Sequence, residues 1–503
     1  MAKRRFELGL WVGLILLVDF VCGTVALAKF DVRQHISSTT SYEAGRRIEY
    51  GNEIVSSPEG CVPVHINLVA RHGVRRPTEK RIKELEGFAD RLRVLSAEAA
   101  KNQNETTSLP PAWIKEWKSP WSDKQIGGEL LPKGEEELYD LALRYKSKYP
   151  EIFSEQYHPD VYPIIATQVG RSSASSVAFG MGMFAGQGTL GAGKQRAFSV
   201  ITESKGHDVH LRFHDTCMAY KESKKLRKPK VAGWQAGVYD LVAKSVQGRY
   251  SLAVNNSDVA TLWLLCKNEA SLLDIVDQAC GMFTTEEIEW LEWADDLGTH
   301  HLKGYGDTLN YRMGVPLLND VVKTMDRVIA DAQSKKTTEK ARLRFAHAET
   351  VIPFSCLLGL FLEGTDIKSI QSEEPLKAPP RPPHQRTWRG ALVTPFAANT
   401  ALVLHKCSTD NGAGMKYFVQ ALHNERPVIM PACNGTHFCP IETFKEHVVA
   451  PHTKRSYESL CKMEVVHEPV HDTFLSKFFY IPSHLFRWLF RSAPAQGDCH
   501  TDL

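Results

Sequence analysis

The residues most able to do chemistry lie close together in Ala70-Arg71-His72-Gly73-Val74-Arg75-Arg76-Pro77. Two guanidiniums this near each other can hold a phosphate dianion through charge-assisted, often bidentate hydrogen bonds. A histidine between them can attack phosphorus, because neutral imidazole is a nucleophile. The neighbouring positive charge disfavours imidazolium, so the ring stays neutral in mild acid. Gly73 is expected to let backbone approach the phosphate closely. The plain alternative is a basic turn on the surface.

The elements around this stretch favour the chemical reading. Val64, Ile66 and Leu68 alternate with His65 and Asn67, which predicts a buried strand over Val64–Val69. Pro77 and the charged run Glu79 to Lys83 predict a turn and then a helix over Thr78–Ala100. Arginine and histidine therefore sit where a strand gives way to a helix. In an open α/β sheet that edge is where ligands bind. A second switch follows. Tyr162–Ala166 reads as a strand, and Thr167–Phe184 reads as a helix rich in Ser, Ala and Gly, with Arg171 in its first turns. A third joins the short strand Leu343–Ala346 to an apolar helix over Val351–Leu362 and carries His347 and Glu349. A lone histidine beside an apolar helix is usually structural. Three such switches, each bearing a phosphate ligand or a proton donor, argue for one site.

These motifs resemble the histidine acid phosphatases. Arg71-His72-Gly73-Val74-Arg75-Arg76-Pro77 is similar to that family's signature, and the segment around Arg171 to its third phosphate-binding arginine. The family's commonest proton donor is Asp directly after the distal histidine. Here Ala348 intervenes, and His347-Ala348-Glu349 is similar to the variant in multiple inositol polyphosphate phosphatases. His65 to Ala70, Thr78 with Lys80 and Arg81, and Gln168 to Phe184 agree with that group. The resemblance implies an α/β histidine-phosphatase domain with a central mixed sheet and an inserted, mainly α-helical domain. It implies His72 as nucleophile, Glu349 as general acid then base, and Arg71, Arg75, Arg171 and His347 as phosphate ligands. Lys80 and Arg81 are candidates for non-reacting phosphates. The implied reaction is phosphomonoester hydrolysis through phosphohistidine, on inositol hexakisphosphate and lower inositol phosphates. Arginines supply the positive charge, so no cofactor and no metal is expected. Alternatives are a phosphatase of 2,3-bisphosphoglycerate or other phosphomonoesters, a mutase-like relative, and a non-enzymatic secreted glycoprotein on the same scaffold. The secretory features below speak against the mutase, and the presence of every catalytic group against the glycoprotein.

The 503 residues are 43% hydrophobic and 24% charged, ample for a large core. Net charge is +3, from 61 basic and 58 acidic residues, a balance that gives no reason to expect nucleic acid. Lys3, Arg4 and Arg5 precede an apolar run from Leu8 to Val18, and Ala26-Leu27-Ala28 supplies a cleavage site. Residues 1–28 thus read as a signal peptide, with no transmembrane span after cleavage. Outside the signal there are ten cysteines, an even number suited to disulfides, with Cys266–Cys280 and Cys433–Cys439 the locally convenient pairs. Asn104, Asn255 and Asn434 open glycosylation sequons. Secretion or residence in the endoplasmic reticulum lumen is expected. The ending His500-Thr501-Asp502-Leu503 imperfectly resembles a retention signal.

The catalytic domain is expected in two halves, residues 29–195 and 341–470. Residues 196–340 form the helical insertion or cap, with helices over Ala232–Val246, Val259–Ala279, Thr285–Leu297 and Leu317–Ala332. The insertion carries a basic run, Lys221, Lys224, Lys225, Arg227, Lys228 and Lys230. By default such a run is a solvated face; it could also form a rim attracting an anionic substrate. Gly186-Gln187-Gly188-Thr189-Leu190-Gly191 mimics a dinucleotide fingerprint but follows a helix rather than a strand, so a flexible loop is expected. Residues 29 to 60 are expected to wrap the surface. Residues 471–503 form an aromatic-rich tail, with Lys477, Pro482 and Arg487 ruling out a span.

Overall fold

A computed structural model describes residues 30–50, 55–101, 107–121, 127–334, 339–364, 376–408 and 415–462. The signal segment, Asn104, Cys499, the aromatic tail and the C-terminal tetrapeptide lie outside the described residues.

The centre is a mixed eight-stranded sheet. Its strands are β1 (Cys61–Arg71), β2 (Ile164–Thr167), β3 (Ile201–Glu203), β4 (Ala341–Ala346), β5 (Asn399–Ser408), β6 (Met415–His423), β7 (Arg426–Val428) and β8 (Phe438–Pro440). They run in the order β3-β2-β4-β1-β5-β6-β7, with β8 also paired to β6. The β3, β2, β4 and β1 neighbours are parallel, and the β1–β5, β5–β6, β6–β7 and β6–β8 pairs antiparallel. The long helices are α1 (Glu79–Lys101), α2 (Pro132–Lys148), α3 (Gly170–Met183), α4 (Met218–Tyr250), α5 (Asn256–Leu272), α6 (Thr285–Lys303), α7 (Val315–Ser334) and α8 (Ala348–Leu357).

Alternation along the strands divides the core. Val69, Leu402 and Leu404 face one layer with α7 and α8. Leu68, Ala70, Val403 and Phe345 face the other with α2 and α3. Both faces are covered, so β1 is buried continuously from His65 to Arg71. The polar alternates His65 and Asn67 therefore do not mark a solvent face; they enter a buried polar network. A further core joins α1 to α4, α5 and α6 and to Val32 and Ile36.

Several element boundaries differ from expectation for visible reasons. Helix α4 starts well before Ala232 and continues through Pro229, which removes one N–H but does not end it. Helix α5 ends at Leu272; the chain then folds back so that Cys280 meets Cys266. Helix α8 stops at Leu357, short of Leu362. The segment expected to wrap the surface turns inward: Ile36, Ser37, Thr40 and Tyr42 are buried, because its polar groups bond to the interior rather than to water. The glycine-rich loop after α3 closes on a Leu190–Gln195 bridge. Disulfides join Cys61–Cys407, Cys217–Cys461, Cys266–Cys280 and Cys433–Cys439. The even cysteine count does not translate into complete pairing among the described residues: Cys356 is buried and unpaired.

Candidate active site

Register brings the strand ends together. Arg71, the last residue of β1, pairs with Ala346, the last of β4, and Ala166 of β2 pairs with Phe345. Arg71-His72, His347 and Thr167 thus emerge side by side at one sheet edge. Helix α3 is stitched to that edge by small polar residues: Ser172 Oγ donates to Ala346 O (3.3 Å), and Gly73 N–H donates to Ser175 Oγ (3.1 Å). The Ser- and Gly-rich composition of α3 permits this approach.

Gly73 also meets neighbouring backbone directly. A Cβ there would lie 2.2 Å from Gly134 O at the start of α2. The space is needed by backbone packing against α2, so the loop is held by Gly134 and by Glu137. The Glu137 carboxylate accepts from Val74 N–H (2.8 Å) and Tyr42 N–H (2.7 Å).

His72 is buried. Its Nδ1 lies 2.9 Å from Gly73 O. A carbonyl only accepts, so Nδ1 carries the hydrogen and Nε2 keeps its lone pair. Burial, then the charges of Arg171 and Arg71, hold the imidazole well below its usual range. The ring is therefore neutral in mild acid, the form that can act as a nucleophile.

Cations crowd the same point. Arg71 Nη1 donates to Ser38 O (2.6 Å) and Thr394 O (2.7 Å), and its guanidinium carbon sits 4.3 Å from the centre of the Phe396 ring. Burial and next the charge of Arg75 pull Arg71 down to about 9, still cationic at neutral pH. Arg75 donates to Arg76 O (2.9 Å). Arg171, on the first turn of α3, is close enough to depress His72, His347 and Arg71 together. Like charges held this close are costly unless an anion joins them.

His347 faces His72 edge-on, with ring centroids 5.7 Å apart. Its Nε2 lies 3.2 Å from Arg212 Nη1 and 3.0 Å from Thr167 Oγ1. A guanidinium only donates, so Nε2 accepts and the neutral ring carries its hydrogen on Nδ1. Arg212 in turn is paired with Asp215. Burial and Arg171 keep His347 neutral.

Glu349 lies in the first turn of α8, with Oε1 2.8 Å from Lys303 Nζ at the end of α6. Burial pushes its pKa up, but Lys303 and then Lys224 outweigh that, and the carboxyl ends well below its usual range. Without substrate it is an ion-paired carboxylate. A substrate phosphate that competes for Lys303 and adds negative charge would raise its proton affinity. His214, also neutral through burial, stands 6.1 Å from His347 between ring centres.

The structure thus brings Arg71, His72, Arg171, His347 and Glu349 into one electrostatically coupled cluster, with Arg75 acting on Arg71 and His72. Lys80 is exposed on the first turn of α1, and Arg81 pairs with Glu84 (2.6 Å). Asn255 and Asn434 are exposed, and Asn255 caps α5. Four groups escaped sequence reasoning: Thr167, Arg212, His214 and Lys303. Arg212 and Lys303 lie in the region read as insertion and follow no strand-to-helix switch that the sequence displays, so only the fold delivers them. Lys224 belongs to the basic run already noted.

The sequence profile of the histidine phosphatase superfamily (branch 2) matches residues 64–424. The multiple inositol polyphosphate phosphatase 1 of Dictyostelium discoideum is 27% identical over 440 residues, 77% of this chain and 66% of that one. The Gallus gallus protein of the same name is 26% identical over 426 residues, 82% of this chain and 88% of that one. In structure, the phytase from D. castellii aligns with a TM-score of 0.68 at 17% identity, covering 87% of this chain and 90% of that one. A Bifidobacterium longum multiple inositol polyphosphate phosphatase, solved with inositol hexasulfate, aligns with a TM-score of 0.57 at 17% identity, over 83% and 98%.

Proposed function

The chain belongs to the histidine phosphatase superfamily (branch 2), and from that premise we propose that it hydrolyses inositol hexakisphosphate and lower inositol polyphosphates through a phosphohistidine. The observation that carries the reading is the buried, neutral His72, with Nδ1 tied to Gly73 O, set among three guanidiniums. The relatives named above supply the substrate class.

In the proposed cycle Arg71, Arg75, Arg171 and His347 hold the phosphate and neutralise its equatorial oxygens. His72 Nε2 attacks phosphorus in line; a P–N bond forms as the P–O bond to the inositol breaks. Glu349, protonated once substrate has engaged Lys303, gives its proton to the departing oxygen. It then takes a proton from the water that cleaves P–N, and inorganic phosphate leaves. Lys303 and Lys224 meet non-reacting phosphates, as do Lys80 and Arg81 at the start of α1. We further propose that residues 196–340 act as the cap that delivers Arg212, Lys224 and Lys303 to a catalytic domain built from residues 29–195 and 341–470. The four disulfides fit an oxidising compartment, and no helix among the described residues is long and apolar enough to cross a membrane. On the disulfides we place the enzyme in the secretory pathway, with Asn255 and Asn434 open to glycosylation.

The test is phosphate release from inositol hexakisphosphate in mild acid with a chelator present. Wild type should release phosphate and His72→Ala should lose at least about 10³-fold in kcat. Equal turnover by both proteins would remove His72 as nucleophile. Release from 2,3-bisphosphoglycerate or an aryl phosphate alone would replace the substrate class but keep the chemistry.

A further inference from the structure

We propose that Asp296, on α6 and outside the phosphate cluster, is the positioning residue for Arg71; the inference rests on the phosphate-binding role given to Arg71 above. The guanidinium of Arg71 is aimed by two stretches of chain that are far apart in sequence. One supplies Ser38 O and the other Thr394 O, both accepting from Nη1, and the second also supplies the Phe396 ring beneath the guanidinium.

Both stretches are fastened to one carboxylate oxygen. Ser37 Oγ donates to Asp296 Oδ1 at 2.7 Å, and Gly390 N–H donates to the same oxygen at 2.8 Å. Each donor is close in the chain to the carbonyl it serves. Ser37 is the neighbour of Ser38. Gly390 begins a single helical turn in which its carbonyl accepts from Thr394 N–H at 3.0 Å. The two stretches also touch directly, Phe396 N–H donating to Thr40 O at 2.8 Å. The other oxygen, Oδ2, accepts from Arg386 Nε (3.2 Å) and Nη2 (2.9 Å), and Asp296 is fully buried.

Gly390 shows how tight this junction is. A Cβ there would stand 2.2 Å from Ser37 Oγ and 2.8 Å from Asp296 Oδ1. Only glycine lets the two stretches meet on the carboxylate. Glu292, one helical turn earlier, repeats the pattern: it binds Arg386 (3.0 Å) and Arg389 (2.9 Å), and Arg389 donates to Gln34 O (2.8 Å). Burying two carboxylates against two guanidiniums is an inefficient way to gain stability. It does fix distances, and phosphoryl transfer is sensitive to them: a displacement of about 1 Å can cost about 10²-fold. The reach from Asp296 to Arg71 is two hydrogen bonds through the first stretch and three through the second.

The experiment is a double-mutant cycle on kcat/KM for inositol hexakisphosphate, with Asp296→Ala, Arg71→Ala and the double variant, and with melting temperature measured on each. Asp296→Ala should lose about 30- to 100-fold, mostly in kcat, and less than about threefold further when Arg71 is already alanine. Asp296→Asn keeps an oxygen for Ser37 and Gly390 and should recover much of the loss. The same factor lost in both backgrounds, or no loss in Asp296→Ala, would overturn the proposal. Should Asp296→Ala not fold, Gly390→Ala, whose Cβ wedges the junction, carries the same cycle with the same two readings. An Arg71→Ala enzyme of full activity would overturn the phosphate-site reading along with this one. A costly Arg71→Ala with an additive Asp296→Ala overturns this one alone.

Discussion

Ahead of their carboxyl ends, strands β1 and β4 carry His65, Arg342 and Arg344; at their carboxyl ends the same strands deliver Arg71, His72 and His347. The residue types match, but the surroundings do not. Ahead of the carboxyl ends each guanidinium has an acid. Arg342 bonds Glu339 (2.7 Å) and Asp320 (3.2 Å), Arg344 bonds Asp320 and Asn67 (3.0 Å), and His65 lies 3.1 Å from Glu339. Burial pushes Glu339 up, yet the bonds from His65 and Arg342 bring it down to about 2, so the network is anionic where it must be. At the carboxyl edge Arg71 is held by two carbonyl dipoles and an aromatic face, and Arg75 and Arg171 add charge of the same sign. Guanidinium charges gathered around a neutral imidazole are the feature from which the proposed phosphate site is read.

That difference can be broken or sharpened by substitution. The largest effect should come from Arg171→Ala. Its kcat/KM should fall by about 10²- to 10³-fold, about 3–4 kcal/mol of transition-state stabilisation. Its melting temperature should change far less than that of an Arg344 variant. A large loss of stability with little loss of rate would make the carboxyl edge as structural as the Arg342–Arg344 network. Arg344→Ala should do the reverse, costing about 3 kcal/mol in chemical denaturation by stripping a buried ion pair of one partner, with kcat per folded molecule nearly unchanged.

Lys303→Met should have a smaller and substrate-dependent effect. KM for inositol hexakisphosphate should rise about tenfold, and KM for an aryl monophosphate hardly at all, since only the former has phosphates to spare for Lys303. Equal changes on both would return Lys303 to a purely structural pairing with Glu349.

The smallest effect is in the pH dependence, where rate and stability should part. His72 and His347 are each held well below 6.5, burial first among the causes. In the unfolded chain they take up protons as pH falls through about 6.5, while the folded protein holds them neutral. Stability should therefore decline from pH 7 to pH 5, by about 1 kcal/mol or more per histidine. Over the same range kcat/KM, once corrected for the second ionisation of the substrate phosphates at about 6, should show no break at about 6.5, because the nucleophile does not titrate there. A break at 6.5, removed by substituting no other histidine, would place an ionising His72 in the rate.

The chain states its strand-to-helix switches openly. Alternating apolar residues over Val64–Val69, the small residues after Arg171, and the apolar run after Glu349 mark the three places where the sheet edge forms, and register does the rest. What it does not state is anything carried by long-range geometry. Arg212 follows a three-residue strand and a turn, Lys303 ends an amphipathic helix, and Ser37 sits in a polar stretch that looks like surface. Each acquires its role from a partner more than 40 residues away: His347, Glu349 and Asp296. Gly73 shows the same limit in reverse. Its small size was legible, but that Gly134 also needs the room is something only packing reveals.

The central claim is that His72 becomes covalently phosphorylated. The most direct measurement is rapid mixing with ³²P-labelled inositol hexakisphosphate, an alkaline quench that preserves phosphohistidine, and peptide mapping. Label on the peptide containing His72, formed and lost within one turnover and absent in His72→Ala, is the predicted result. Unlabelled protein during steady turnover, or label on another residue with His72→Ala still active, would contradict the account.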